Sequence, residues 1–265
     1  AVELLDRDSI RSVEDDPDAP DYFRTMPETA CVLLVEIQGN TQEEMADKEV
    51  AIRKGVEAYP TIQPYTFTSD PKEYNFNWKA RKGLLSSVGG LRRTGTTCLI
   101  EDVAFPVESL APAALDIKAL FKRLGYKDAV LFGHALDGNL HLTFSQDFTT
   151  DEEVQRYATL MDDLADIVVN KYDGSLKAEH GTGRNMAPFV EQEWGEAAYN
   201  IMIRIKDTFD PYKLINPGVI INKNPKIHLE NLKPLPAVNE LVDKCMECGF
   251  CEPNCVAEGL TLSPR

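Results

Sequence analysis

The chain has 265 residues, 43% of them hydrophobic and 27% charged, which is typical of a globular protein with a sizeable core. Its formal net charge of −15 gives no electrostatic support for binding a phosphate backbone, so nucleic acid is not an expected partner. The longest apolar run, ACVLLV, is far shorter than the ~20 residues of a membrane-spanning helix, and the charged N-terminus does not fit a signal peptide. We expect a cytoplasmic protein without a membrane-spanning segment, with peripheral association at the inner face of a membrane as the open alternative.

The predicted elements begin with an acidic, aperiodic segment at residues 1–28, which we expect to be a loop. Strands are predicted at 30–39, 61–69 and 96–105, and helices at 41–59, 71–88 and 107–125. Pro64 interrupts the second strand, so it is expected at an edge of the sheet.

In the second half of the chain, a hairpin is predicted from strands at 128–134 and 139–147, and a capping box of Thr150 and Glu153 begins the next helix. The helix predicted at 189–209 is expected to bury an apolar face formed by Trp194, Ile201, Met202, Ile205 and Phe209. This irregular alternation predicts an α+β fold, with helices packed on a mostly antiparallel sheet.

The hairpin brings two of the four histidines together. Asp137-Gly138 favours a two-residue type I′ turn, which would place His134 directly opposite His141. Such cross-strand partners have Cβ atoms roughly 4.5–5.5 Å apart on one face of the sheet. Two imidazoles at this distance can bind one metal ion if a third ligand is present; a hairpin that happens to contain histidines explains the residues equally well.

A third ligand is available in LKAEHGTGRN, where Glu179 and His180 are adjacent. Neighbouring side chains on extended backbone point to opposite sides, so one can bind a metal held by the hairpin while the other faces a substrate. Two histidines and one carboxylate suit a catalytic divalent ion such as zinc. The alternative is that the hairpin and this segment never meet.

Four of the six cysteines lie in CMECGFCEPNC with the C-x2-C-x2-C-x3-C spacing of bacterial ferredoxins. The spacing predicts a [4Fe–4S] site whose ligands are Cys245, Cys248, Cys251 and Cys255. Val256 stands where such runs usually have Pro, and a structural zinc site is the alternative. The proline-bearing residues 219–244 predict an extended linker in which His228 is exposed.

Several motifs, in this order and spacing, resemble one family: WKARKGLL, IEDVAFPVESL, GHALDGNLH, AEHGTGR and FDPYKLINPG. They are similar to the C-terminal half of FAD-linked 2-hydroxyacid oxidoreductases of the vanillyl-alcohol-oxidase superfamily, the D-lactate and D-2-hydroxyglutarate dehydrogenase group. The cysteine run makes the chain most similar to long bacterial members that fuse a flavin half to an iron–sulfur half. Leu136 stands where the family usually has Gly, but it precedes the turn and bears no ligand.

The resemblance implies a substrate- and metal-binding domain at 1–218, a linker at 219–244 and the truncated start of a ferredoxin-like module at 245–265. It implies that His134, His141 and Glu179 bind a divalent metal, zinc or manganese, and that His180 is the catalytic base. With a pKa ordinarily near ~6.5, an imidazole can accept the proton of a metal-bound hydroxyl.

The resemblance also implies substrate and cofactor contacts. Arg81 matches an arginine that binds the substrate carboxylate, a task suited to a planar guanidinium, and Arg184 and Lys82 are weaker candidates. Asn216, in the INPG turn, matches a position beside the flavin ring, although a simple Pro-Gly turn also explains it. Thr143 stands where the hydroxyglutarate enzymes tend to carry Asn, which leaves the acid undetermined.

The implied reaction transfers hydride from a small D-2-hydroxyacid to FAD, and passes electrons to iron–sulfur clusters and then to a quinone or cytochrome. The resemblance places the FAD domain upstream of Ala1, so we expect the chain alone to bind no FAD and to be inactive. Two alternatives remain. One is another enzyme of the superfamily, such as a glycolate oxidase subunit or an ether-lipid alkyl-transfer synthase; the other is a non-catalytic electron-transfer or scaffold module.

Overall fold

A computed structural model describes residues 1–17, 19–257 and 259–260 of the chain. Its described part contains an antiparallel sheet of five strands in the order β2-β1-β4-β5-β3. The strands are β1 Val2–Asp6, β2 Cys31–Val35, β3 Thr97–Ala104, β4 Val130–His134 and β5 Asn139–Gln146. The helices are α1 Arg7–Arg11, α2 Tyr22–Thr25, α3 Gln42–Val56, α4 Pro71–Leu91, α5 Leu110–Arg123, α6 Asp151–Ala165 and α7 Val190–Phe209. The predicted α+β class is therefore confirmed.

Helices cover both faces of the sheet and form two apolar clusters. On one face, α5 and α6 pack against the leucines and phenylalanine of β5. On the other, Leu84 and Val88 of α4 pack with Phe132 of β4 and with Leu5 of β1. Because strand side chains alternate between faces, the residues in step with Leu5 and Phe132 also point toward α4. No described helix has the length and hydropathy needed to cross a membrane.

The loop predicted at residues 1–28 is wrong. β1 lies inside the sheet, between β2 and β4, and two short helices follow it. Asp6 begins α1 by accepting a hydrogen bond of 2.8 Å from the backbone N–H of Ser9. The strand is only five residues long and its Glu3 is buried, so neither length nor hydropathy marks it as internal.

Two other predictions about elements are also wrong. Residues 61–69 form no strand, consistent with Pro64, which has no N–H to donate to a sheet. The apolar face predicted to be buried on the last helix is largely exposed, including Trp194, Ile201, Ile205 and Phe209. Gly195 interrupts the helical conformation at φ 74° and ψ 160°, so Trp194 does not continue the stripe of the residues after it.

The histidine hairpin is present, but in another register. Phe132, not His134, lies opposite His141, and the connection has four residues, because Ala135–Asp137 form a 3-10 turn before Gly138. The partner of His141 is thus shifted by two residues from the prediction. A shift of two keeps every side chain on its face, so His134 remains a diagonal neighbour of His141 with ring centroids 5.2 Å apart.

The segment at 219–244 contains short 3-10 helices at Ile227–Leu229 and Val242–Lys244 and no strand. The prediction that His228 is exposed is wrong. The side chain is buried, with its ring centroid 5.4 Å from that of Phe189. Burial lowers the pKa of His228, because the charged imidazolium would lose its hydration. Residues 227–229 therefore pack on the domain with an imidazole that is favoured in its neutral form.

Gly138 offers a test of this hairpin. A Cβ at Gly138 would lie 2.0 Å from the carbonyl oxygen of Phe105, whereas a Cβ at Gly125 meets nothing within 4 Å, and both glycines have positive φ. We predict that Gly125→Ala lowers the free energy of unfolding by about 1–2 kcal/mol, the cost of left-handed backbone, and that Gly138→Ala lowers it further. Urea unfolding of both variants measures the difference; equal losses would contradict the packed turn.

Candidate metal and substrate-binding site

The sheet places four polar side chains in a row on the face toward α4. Cross-strand pairing puts Glu3 of β1 opposite His134 of β4, and Asp102 of β3 opposite His141 of β5. The two imidazoles lie inside the row and the two carboxylates at its ends. Since directly paired residues share a face, backbone hydrogen bonding alone brings these groups together.

Three imidazoles converge on one carboxylate oxygen. The Oε1 atom of Glu179 lies 3.4 Å from His134 Nε2 and 3.2 Å from His141 Nε2. His180 Nε2 lies 3.5 Å from the same oxygen, and the His180 ring stacks on that of His141 with centroids 4.9 Å apart. The hairpin and the AEHGTGR segment therefore do meet.

The expectation that Glu179 and His180 point to opposite sides is wrong. The backbone bends at these residues instead of remaining extended. Both of their N–H groups donate to Oδ2 of Asp102, at 2.7 Å from Glu179 N and 2.9 Å from His180 N. Asp102 thereby holds the bend, and both side chains face the same centre.

Sequence reasoning missed two buried carboxylates, Glu3 and Asp102. Glu3 Oε1 lies 2.8 Å from His134 Nδ1, and Asp102 Oδ1 lies 3.5 Å from His141 Nδ1, which is long for a hydrogen bond. Burial opposes the charge of Asp102, but the approach of His141 and the N–H groups of His180 and Glu179 hold the pKa of Asp102 below its ordinary value. The available sequence signal was an acidic residue at an inward position of an otherwise apolar strand.

The donor set fits a divalent metal. Ligands about 2.0–2.2 Å from a tetrahedral zinc ion stand roughly 3.3–3.5 Å apart, close to the 3.2 and 3.4 Å between Glu179 Oε1 and the two hairpin imidazoles. Glu3, Asp102 and Glu179 carry three negative charges against the one positive charge of Arg81. A dication would balance the remainder. His180 is close enough to act either as a further ligand or as a base beside the ion.

The substrate-binding candidates lie at different distances from this cluster. Arg81 is buried, donates from Nε to Glu3 at 2.8 Å, and lies over the Phe132 ring. Its two Nη groups make no hydrogen bond to a described residue. Lys82 lies over Trp78, and Arg184 is exposed, without a side-chain hydrogen bond or ion pair in the described part of the chain. Arg81 is thus the candidate joined to the site, through Glu3.

The INPG turn places Asn216 at the surface with a left-handed φ of 42°. The turn is connected to the site loop by a hydrogen bond of 3.3 Å from Ile220 N to the carbonyl of Gly183. Before the turn, Asp210 accepts from the N–H groups of Leu214 and Ile215. The structure therefore places Asn216 on an anchored turn that does not contact the imidazole cluster.

The four cysteines of the ferredoxin-like run lie among the described residues as free thiols. Among the described residues, no three of their sulfur atoms are close enough to share an ion, and residues 258 and 261–265 of this predicted module lie outside the description. Arg92 instead fixes the start of the run at the end of α4, donating to the carbonyls of Asp243 at 2.8 Å and Cys245 at 2.7 Å. The described cysteines thus offer no site for a single shared ion, and their assignment to a [4Fe–4S] cluster stays a prediction from their spacing.

The chain belongs to the family described as FAD linked oxidases, C-terminal domain, which matches residues 1–220. The resemblance noted in the sequence is therefore confirmed at the level of the superfamily and group.

Individual relatives carry related names. The chain is 28% identical over 233 residues to the glycolate oxidase subunit GlcD of Bacillus subtilis, covering 85% of this chain and 46% of that protein. It is 26% identical to a D-lactate dehydrogenase of Anaerostipes hadrus, covering 84% and 46%, and 29% identical to a D-2-hydroxyglutarate dehydrogenase of Pseudomonas putida, covering 82% and 22%. The chain thus spans about half the length, or less, of these relatives.

One solved structure supports the fold. The 4-ethylphenol oxidase of Gulosibacter chungangensis, in complex with isoeugenol, aligns with 83% of this chain and 47% of its own at a TM-score of 0.50 and 12% identity. Similarity at this level of identity shows a shared fold and nothing about the site.

The anchored turn before Asn216 gives a pH-dependent prediction. The hydrogen bond from Lys206 and the N–H groups of Ile215 and Leu214 hold the pKa of Asp210 down to about 2. A lowered pKa stabilises the fold fully above the unfolded value of about 3.9, and the contribution is lost as pH falls toward 2. We predict that Asp210→Asn lowers the melting temperature at pH 7 and that the difference from the unaltered chain shrinks between pH 4 and pH 3. A difference independent of pH would contradict the charged role.

Proposed function

We propose that this chain forms the metal- and substrate-binding part of an FAD-linked oxidoreductase that oxidises a small D-2-hydroxyacid. The observation that carries the proposal is the convergence of three imidazole Nε2 atoms on Glu179 Oε1, at 3.2–3.5 Å. Membership in the FAD-linked oxidase family supports an oxidation that uses FAD, and the cluster of imidazoles and Glu179 supports a metal site for the substrate hydroxyl.

The proposed ligands are His134, His141 and Glu179. A divalent ion bound there would polarise the substrate's 2-hydroxyl and lower its pKa. His180 is the proposed base: its side chain is 39% exposed, against 5% for His141, so its Nε2 is accessible to a substrate proton. The stacked His141 ring limits the orientations available to His180. General base catalysis requires a base held within hydrogen-bond reach of the hydroxyl.

Arg81 is the proposed partner of the substrate carboxylate. Glu3 fixes its Nε, and Phe132 supports the guanidinium plane, so the free edge of the fork is preorganised. FAD, when bound, would supply the acceptor for the hydride of C2. Asn216 is proposed to contact that flavin, on the strength of the family resemblance of the INPG turn alone. Arg184 stays a secondary candidate, because its exposed side chain would have to turn toward the site when substrate binds.

The names of the relatives favour a small 2-hydroxyacid as the substrate class, because glycolate, D-lactate and D-2-hydroxyglutarate are all 2-hydroxyacids. The four cysteines, Cys245 to Cys255, remain proposed [4Fe–4S] ligands on their spacing alone. The domain division, the cytoplasmic location and a quinone or cytochrome acceptor likewise remain proposals.

The metal assignment is tested by the metal content of the purified chain. We predict about one divalent ion per chain, lost in His141→Ala and retained in the Cys245→Ser, Cys248→Ser double variant, because imidazole and carboxylate ligands bind independently of the thiolates. Inductively coupled plasma mass spectrometry gives the count. Metal that follows only the cysteines would contradict a hairpin site and favour the non-catalytic module.

The role of His180 is tested in a form of the protein that carries the flavin-binding half. We predict that His180→Gln lowers kcat for D-2-hydroxyacid oxidation by about 10²–10⁴-fold, the usual contribution of a positioned base. His228→Gln, which alters a buried imidazole outside the site, serves as the matched control and should leave kcat near its starting value. Assays with glycolate, D-lactate and D-2-hydroxyglutarate identify the acid. Unchanged oxidation by His180→Gln would contradict the mechanism.

A further inference from the structure

Each imidazole proposed to bind the metal is paired, on the strand next to it, with a buried carboxylate. Glu3 lies opposite His134 and Asp102 lies opposite His141, and the two carboxylates are 4% and 0% exposed. The pairs come from different strands at different ends of the row. Two independent backbone registers therefore produce the same combination of imidazole and carboxylate.

The carboxylates approach the ring nitrogen that faces away from the metal centre. Glu3 Oε1 is 2.8 Å from His134 Nδ1, and Asp102 Oδ1 is 3.5 Å from His141 Nδ1, while both Nε2 atoms face Glu179. His141 Nδ1 is buried and has no hydrogen-bond partner among the described residues, so the Asp102 carboxylate at 3.5 Å is the acceptor that faces it. A carboxylate at Nδ1 keeps the proton on that nitrogen, which leaves the Nε2 lone pair free for a metal.

We infer that Asp102 and Glu3 are positioning residues of the metal site: each fixes the tautomer and ring orientation of the histidine paired with it, and Asp102 also fixes the bend that presents Glu179 and His180. The inference rests on the proposed function. It deepens that function because the two carboxylates together orient all three ligands and the base. Asp102, His141 and His180 also offer ligand atoms within 4.8 Å of one another. Both oxygens of Asp102 already accept hydrogen bonds, from Asn139 and from the N–H groups of Glu179 and His180, so we assign Asp102 to positioning and not to the ion.

Asp102 is the more central of the two. Its Oδ2 accepts the N–H groups of both Glu179 and His180, and its Oδ1 accepts from Asn139 Nδ2 at 2.6 Å. Asp102 thus connects the hairpin to the site loop, whose Glu179 lies 77 residues after Asp102 in the chain. Losing its charge would loosen the third ligand and the base at once.

Glu3 connects the metal site to the proposed substrate arginine. One of its oxygens faces His134 Nδ1 and the other accepts from Arg81 Nε at 2.8 Å. The carboxylate therefore sets the distance between His134 and Arg81. A 2-hydroxyacid has its hydroxyl on the carbon next to the carboxylate carbon, so it requires the metal held by His134 and the guanidinium of Arg81 at a fixed separation.

Glu101 provides a matched control. It is the neighbour of Asp102 on β3, is 2% exposed, and points to the other face of the sheet, where it pairs with Lys177 at 2.6 Å and accepts from Asn185. Glu101→Gln replaces an equally buried carboxylate on the same strand without touching a ligand histidine. Because Lys177 and Asn185 flank the loop that carries Glu179 and His180, it also tests the anchoring of that loop separately from Asp102. Any loss of metal affinity through general destabilisation should appear in this variant too.

The experiment is a Zn²⁺ competition titration with a chromogenic chelator on the unaltered chain and on Asp102→Asn, Glu3→Gln and Glu101→Gln. We expect Asp102→Asn and Glu3→Gln to weaken Zn²⁺ binding by about 10–100-fold, the usual effect of losing an outer partner of a metal-bound histidine. Glu101→Gln should bind as the unaltered chain does. If Asp102→Asn does not fold, Glu3→Gln, whose amide oxygen can still accept from Arg81, decides the question.

Visible absorption of the Co²⁺ forms provides a second readout, because the ligand-field bands report ligand geometry and not stability. We expect shifted bands in Asp102→Asn and Glu3→Gln and unshifted bands in Glu101→Gln. Equal losses of affinity in all three variants, with unshifted bands, would overturn the positioning role and leave the proposed function intact. Absence of Zn²⁺ binding by the unaltered chain would overturn the proposed function itself.

Discussion

The antiparallel register of β1, β4, β5 and β3 is the constraint on which the rest of the site depends. It places Glu3, His134, His141 and Asp102 on one face of the sheet, in an order fixed by backbone hydrogen bonds. Strand positions are more rigid than loop positions, which suits ligands that must hold a metal within a few tenths of an ångström. Glu179 and His180 lie on a bend outside the sheet and are tied to this frame through Asp102.

The burial of Glu3 and Asp102 determines how these two carboxylates must be paired. Carboxylates as enclosed as Glu3 and Asp102 are costly unless each is paired, and here the partners are ring nitrogens, backbone N–H groups and Arg81. The partners cannot rearrange freely, because α4 and the neighbouring strands pack around them. The same interactions that make the charges tolerable therefore orient the groups that would bind metal and substrate.

The sequence predicted the parts of this site that are local and failed on the parts that are not. Asp137-Gly138 marks a hairpin through its turn chemistry, and a register error of two residues did not matter because the side-chain period of a strand is also two. Glu3 escaped notice because its partner, His134, is 131 residues away, and no local periodicity reports such a pairing. The direction of Glu179 and His180 was wrong because the bend depends on Asp102, a tertiary contact. The apolar stripe predicted on α7 holds for the residues after Gly195 but not for Trp194, and periodicity does not say whether a stripe is covered.

The proposed metal centre is formed by the hairpin histidines and Glu179. The most direct measurement is diffraction from crystals of the chain grown with Zn²⁺, with data collected on both sides of the zinc absorption edge. We expect an anomalous peak about 2.0–2.2 Å from His134 Nε2, His141 Nε2 and a carboxylate oxygen of Glu179. An anomalous peak at the cysteines alone, with none between the imidazoles, would contradict this assignment.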